Sequence, residues 1–465
     1  MYRDMSEYLK IWKDRETRKP LVLRGTRQVG KSYLVRMFAG EAFTNLAEIN
    51  FERMPDAASL FALKAPKTIV QLLEARLDVP ILPGKTLLFL DEIQAAPEVF
   101  ATLRYFHEEL PGLHVIAAGS LLDFVLRDHT FSMPVGRVEY AHLGPLSFEE
   151  FLQALGRERL KKWLDLYSVG DTIPLALHRE LLSLVRQYCI VGGMPEAVAA
   201  FARNGSYLEC EQVQQSLLST YRDDFTKYAS RAQVRLVEKV FARVPQLVGR
   251  KFMFSQIDPQ ERSRDLGVGL QLLCLARVIH QVKYSSGNGV PLGAESIDRV
   301  FKTLFLDVGL LCRSCGLHVL DIEKARDLIL VNAGAVCEQF IGQHLLMGVS
   351  VYEEPALFYW MRDKPNSSAE VDYLVSIGSR VIPVEVKAGA TGRLKSLQLF
   401  LSEKNLEFGL RFNNDVPSFL DTQVSRPDAS TGRLRLLSLP CYLVCQSRRL
   451  CAEAMGQGDQ GSDPG

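Results

Sequence analysis

Residues 25–32 read Gly25-Thr26-Arg27-Gln28-Val29-Gly30-Lys31-Ser32, a spacing of glycine, lysine and hydroxyl that suits a polyphosphate. Glycines let the backbone curl with its N–H groups turned inward, and a helix starting at the loop adds partial positive charge. Lys31 would reach the β- and γ-phosphates, and the Ser32 hydroxyl would bind Mg²⁺. A second group follows at Asp91-Glu92. Asp91 has the chemistry to hold Mg²⁺ through water, and Glu92 to polarise an attacking water, so hydrolysis of the γ-phosphate of ATP is the expected reaction. Ser120 closes the apolar run His114–Ala118 after Gly119, where a small hydroxyl can touch the γ-phosphate or the lytic water. Arg137, after Gly136, is a candidate for stabilising transition-state charge. The sequence leaves open whether Arg137 acts within its own chain or across a subunit contact.

A further acidic group lies near the C-terminus. Glu385 and Lys387 are two apart in an apolar run, so on a strand they share a face. Asp372 comes from the preceding strand and Glu338 from a helix spanning about 331–346. Asp372 and Glu385 could bind a divalent metal, and Lys387 could orient water for phosphodiester cleavage. The bland alternative is a charged edge strand that discourages aggregation.

These residues need elements to hold them. Leu21–Arg24, Thr86–Leu90 and His114–Ala118 read as buried strands of a parallel sheet, with a helix after the glycine loop. Met1–Arg18 reads as an amphipathic helix, and from Phe148 to about 245 the apolar spacing is almost wholly helical. Val191-Gly192-Gly193-Met194-Pro195 breaks that stretch. A strand-like run at 276–282 before Ser285-Ser286-Gly287-Asn288-Gly289 suggests a winged helix, able to bind duplex DNA or protein, although Gly267 and Gly269 weaken groove reading. Strands are expected at 357–361, 370–375 and 380–387.

With 465 residues the chain is too long for one core. The expected fold is α/β. It comprises a doubly wound P-loop domain at 1–160, a helical and winged-helix-like region at 161–322, an α/β domain at 323–450 and a disordered tail at 451–465; the resemblances given next imply that the first is AAA+-like and the third restriction-endonuclease-like. Lys+Arg 55 against Asp+Glu 54 excludes a generally basic nucleic-acid coat but allows local patches. No apolar run suits a membrane helix and the N-terminus is polar, so a cytoplasmic protein is expected. Nine scattered cysteines do not suggest a disulfide framework. Cys312-x-x-Cys315, Cys441-x-x-x-Cys445 and Cys451 could bind Zn²⁺ if they met, but core packing is the more economical reading.

The C-terminal arrangement of Glu338, Asp372, Glu385 and Lys387 resembles the PD-(D/E)XK nuclease-like fold. Over about residues 1–450 the chain resembles a large prokaryotic family of AAA+-like ATPases, in which a P-loop domain precedes a domain of unknown function with a nuclease-like end. The resemblance rests on Arg24 to Ser32, Asp91-Glu92-Ile93-Gln94, Ala118-Gly119-Ser120, Gly136-Arg137 and Pro145-Leu146-Ser147-Phe148. It continues through Gly192-Gly193-Met194-Pro195, Leu306–Leu310, Tyr359-Trp360, Glu370-Val371-Asp372 and Glu385-Val386-Lys387. It implies ATP binding and little about the substrate; the leading expectation is an Mg²⁺-dependent ATPase whose cycle drives or gates a DNA-directed C-terminal module. The alternative is an ATP-dependent regulatory switch or adaptor with an inactive nuclease-like domain. DNA, a homo-oligomer and an unknown protein partner stay open as partners. Departures from the family pattern are Thr26, Met361 and the segment Ser263–Gly269.

Overall fold

Strands whose residues are apolar on both faces must lie in the middle of a layered domain, and two such runs set the architecture of the N-terminal part. In the computed structural model, which describes residues 1–127, 134, 136–317, 329–348, 350–363, 368–387, 394–425 and 431–456, every residue of Thr86–Asp91 and His114–Gly119 is buried. Five strands form the first sheet among the described residues: β1 Leu21–Arg24, β2 Asn45–Asn50, β3 Thr86–Asp91, β4 His114–Gly119 and β5 Glu139–His142. They pair in the order β2-β3-β4-β1-β5, all parallel. Leu88, Leu90, Val115 and Ala117 pack with Phe51, Phe61, Leu103 and Phe106 in one continuous core. The parallel order brings the C-terminal ends of β1, β3 and β4 together, which is where open α/β sheets bind ligands.

The chain divides into two compact units. The first contains residues Met1–Pro145 with two later insertions, Leu275–Val278 and Val349–Pro355; the second contains the rest. The break after Pro145 falls earlier than the boundary at 160 expected from sequence, because the helix Phe148–Ala154 packs with the helical part of the second unit. Phe148 and Phe151 meet Tyr188 edge-on, and the Phe148 amide donates to His344 Nε2.

The second unit holds an eight-stranded mixed sheet among the described residues. Its strands are β6 Ile279–Ser285, β7 Ser296–Phe305, β8 Leu357–Met361, β9 Glu370–Ile377, β10 Arg380–Val386, β11 Phe408–Asn413, β12 Ser418–Ser425 and β13 Thr431–Pro440. The order is β12-β13-β11-β10-β9-β8-β6-β7. This corrects the winged-helix expectation. The hairpin of β6 and β7 is not a separate wing, for β6 pairs in parallel with β8 and the two strands complete one edge of the C-terminal sheet. The boundary at 322/323 is therefore no break in the fold. The strand expected at 276 starts at Ile279, because Arg277 sits in the left-handed region at φ 58°, where an extended ladder cannot continue.

Gly269, which argued against groove reading, has a packing reason. A side chain there would meet the Leu236 and Val237 backbone of the helix Arg231–Arg243, so glycine permits close helix approach. The helix Ser447–Gly456 runs past residue 451, where the tail was expected to begin. Residues 457–465 of that tail lie outside the described residues. Among the described residues no helix is long and apolar enough to cross a membrane.

Candidate nucleotide site and C-terminal carboxylate cluster

The glycine loop turns directly from β1 into the helix Lys31–Ala42. Gly30 precedes that helix at φ 88°, a conformation glycine adopts without penalty, and no described side chain caps it. The amides of its first turn are thus free of intrahelical partners. Gly25 is fixed by close approach, since any side chain there would run into the Leu143 carbonyl. The loop borders a pocket of about 350 Å³ lined by Arg27, Gln28, Gly30, Lys31, Ser32, Tyr33, Glu92 and Ser120.

Lys31 is buried, and its ammonium donates to the carbonyls of Gly25 at 2.9 Å and Thr26 at 2.8 Å. Burial pulls it down to about 8, against the opposing charges of Glu92 and Asp91. The Ser32 hydroxyl donates to Asp91 Oδ1 at 2.9 Å, and Asn50 Nδ2 donates to Oδ2 at 3.1 Å. Asn50 ends β2 directly opposite Asp91 in the β2–β3 register, so the ladder itself aligns the carboxylate. Burial raises the Asp91 carboxyl, and the Ser32 hydrogen bond pulls it back. The pair Ser32 and Asp91 offers hard oxygen donors side by side, a set that fits Mg²⁺.

Glu92 leaves the strand in the left-handed region at φ 50°, which turns its side chain to the pocket rather than along the ladder. Gln94 Nε2 donates to Glu92 Oε2 at 2.5 Å. Gly119 leaves room for Gln94, because a side chain at 119 would strike Gln94 Oε1. Ser120 is buried, lines the pocket and accepts a 3.4 Å hydrogen bond from Arg27 Nε. Arg27 also reaches Glu52 at 3.2 Å.

The structure thus gathers Lys31, Ser32, Asp91, Glu92 and Ser120, and does not gather Arg137. That side chain is half exposed, absent from the pocket lining and paired with Glu108 at 2.9 Å. Sequence reasoning missed Asn50, Gln94 and Arg277. Gln94 stands in the quoted Asp91–Gln94 run. Arg277 gave no local signal, as it arrives from 251 residues away: its carbonyl accepts from Thr26 Oγ1 at 2.9 Å. Its guanidinium pairs with Asp123 and Glu354, each at 2.7 Å, and Arg24 pairs with the same two carboxylates. The loop threonine that departs from the family pattern therefore ties the phosphate loop to a later segment of the same unit.

In the second unit the helix Ile329–Met347 carries Glu338 to the sheet, where Tyr373 donates to the Glu338 carbonyl at 2.7 Å. Glu338, Asp372, Glu385 and Lys387 come to one region, but its centre is a fifth residue. Lys302 of β7 is 2% exposed; its ammonium contacts Glu370 and lies 3.5 Å from Glu338 and 3.8 Å from Asp372. Burial pushes this ammonium down, yet the charges of Glu338, Asp372 and Glu370 outweigh it and raise Lys302 above its ordinary range. Burial pushes Glu338 up to about 8, with Lys302 opposing, and Glu385 up to about 7, with Asp372 adding to the rise. Asp372 Oδ2 accepts from the Val386 amide at 2.7 Å, and Lys387 donates to Glu385 Oε1. Among the described residues no group of three or more His, Cys, Asp or Glu is arranged to hold a metal. The metal role expected for Asp372 and Glu385 thus meets a set already occupied by protein cations. None of the nine cysteines is joined in a disulfide.

Residues 17–152 match the model of an AAA domain. Residues 182–321 and 333–427 match two domains of unknown function, DUF8612 and DUF4143, whose strands join in the single eight-stranded sheet. No curated protein matches the chain. Among solved structures, the Aeropyrum pernix ORC2 protein in ADPNP–ADP complexes is 14% identical at TM-score 0.36, covering 70% of this chain and 96% of that one. A point variant of Thermotoga maritima RuvB is 12% identical at TM-score 0.29, covering 60% and 89%. C. elegans PCH-2 is 13% identical at TM-score 0.26, covering 44% and 63%. The residues that match the AAA domain model carry the parallel sheet and the glycine loop of the first unit.

Proposed function

We propose that the chain is an Mg²⁺-dependent ATPase whose nucleotide cycle serves the second unit as a switch. The supporting observation is the pocket bounded by Lys31, Ser32, Glu92 and Ser120, with Asp91 bonded to Ser32. The triphosphate lies along the loop amides, and Lys31 exchanges its two carbonyl partners for phosphate oxygens. Ser32 and, through water, Asp91 would hold Mg²⁺, which would supply charge neutralisation on the phosphates. Glu92 takes the proton of the attacking water, with Gln94 orienting its carboxylate, and Ser120 hydrogen-bonds the γ-phosphate or the water. Phosphate release from ATP by the full chain, with and without EDTA, tests this reading; no Mg²⁺-dependent release rejects it.

A second reading is DNA cleavage by the second unit, and the convergence of Glu338, Asp372, Glu385 and Lys387 favours it. Nicking of plasmid DNA in Mg²⁺ or Mn²⁺, lost in Asp372→Ala, is the result that reading requires. The switch is the better supported of the two, because Lys302 holds the centre that cleavage would need for a metal.

The lowered Lys31 ammonium has a pH consequence. Free protein loses this proton at about 8, whereas phosphate charge beside it favours the protonated form. ATP binding is therefore expected to take up a proton above that pH, and little through Lys31 well below it. Calorimetry in buffers of different ionisation enthalpy measures the uptake; a proton balance unchanged across that range would show that Lys31 does not meet the phosphates.

A further inference from the structure

A metal-dependent nuclease centre needs carboxylate oxygens with room for an ion between them. Here that room is taken. The Lys302 ammonium lies among Glu338, Glu370 and Asp372, almost wholly shielded from water. It is supplied from β7 by a strand whose inner end, Phe301–Phe305, is entirely buried. The Lys302 ammonium also stands 5.3 Å from the Tyr359 ring centre, so its location is fixed by an aromatic face as well as by charge. A second cation, Lys387, holds Glu385 Oε1. The other oxygen, Glu385 Oε2, is buried with no hydrogen-bond partner, on a residue only 4% exposed.

We infer that Lys302 is the resident counter-cation of this carboxylate centre in place of a divalent metal. The wild-type second unit is thereby closed to metal, and removal of that one ammonium converts the centre into a divalent-cation site. The exclusion is one of place: the ammonium stands at the point the three carboxylates share, and a doubly charged ion cannot enter there without expelling the lysine. Without the lysine, Glu338, Glu370 and Asp372 each keep an oxygen within 3.8 Å of the point its ammonium leaves; they form no metal site as they stand, and a small movement of their side chains closes them on a hard divalent ion. This inference does not depend on ATP hydrolysis in the first unit, and its test uses nucleotide-free protein.

The test is a Mn²⁺ titration of the full chain, following loss of the free-ion paramagnetic signal, for wild type, Asp372→Asn, Lys302→Met and the Lys302→Met/Asp372→Asn pair. Wild type and Asp372→Asn are expected to bind Mn²⁺ alike. Lys302→Met is expected to gain an ion that the double variant loses. An ion bound by wild type and lost in Asp372→Asn overturns the inference, as does a folded Lys302→Met chain that gains none. If Lys302→Met unfolds in metal-free buffer, Lys302→Gln replaces it and thermal unfolding is followed with and without Mn²⁺. A melting temperature raised by Mn²⁺ in that variant and not in wild type supports the exchange of ammonium for metal, and equal responses overturn it.

Discussion

Lys302→Met is expected to lower the stability of the second unit by roughly 3–5 kcal/mol, the usual cost of stripping one partner from a buried ion pair. The loss comes less from the attraction removed than from the carboxylates left behind. Glu338 and Asp372, both largely shielded from water, and the partly exposed Glu370 would lose the ammonium they share. Denaturant unfolding in metal-free buffer measures the effect, and a loss within about 0.5 kcal/mol would place Lys302 among ordinary surface ion pairs. The pH dependence has a definite sign. Lys302 is raised above its ordinary 10.5 in the folded chain, so its contribution is fully present below that value and is lost at more alkaline pH. The deficit of the variant should shrink in acid, where the orphaned carboxylates can take up protons.

Glu92→Gln is expected to slow ATP turnover by roughly 100-fold or more while leaving nucleotide binding intact. The amide keeps the shape of Glu92 and its reach into the pocket, but it cannot accept the proton of the attacking water. Its separation from binding is what makes the variant informative: in the proposed site the phosphates would meet the loop and Lys31, which lie between β1 and the helix after it, whereas Glu92 enters from the end of β3. A variant that turns over ATP at the wild-type rate would transfer the base role to another residue.

The candidate site was legible as a place in the fold because its residues are local. They lie on an eight-residue loop and a dipeptide at a strand end, and the apolar runs Thr86–Leu90 and His114–Ala118 declare the strands that bring them together. Asn50 was not legible, since its role comes from standing opposite Asp91 in a parallel register that periodicity does not specify. Arg277 was invisible for a stronger reason: a segment over two hundred residues beyond the loop returns to it, and only the folded chain shows the return. The C-terminal helix and the strands expected at 357–361, 370–375 and 380–387 stand nearly where the sequence puts them. The hairpin before them belongs to a different body than expected, because a β-hairpin after helices looks the same in sequence whether it stands free or joins a larger sheet. Lys302 did leave a trace. A lysine inside Val300-Phe301-Lys302-Thr303-Leu304-Phe305 is out of keeping with a buried strand unless acids await it, and Glu338, Glu370 and Asp372 are those acids.

The central claim is that the glycine loop of the first unit holds the phosphates of ATP, and equilibrium titration of Mg²⁺-ATP onto the full chain, wild type beside Lys31→Ala, tests it most directly. Saturable binding by wild type and its loss in Lys31→Ala is the predicted result; equal binding by both chains, or none by wild type, would contradict it.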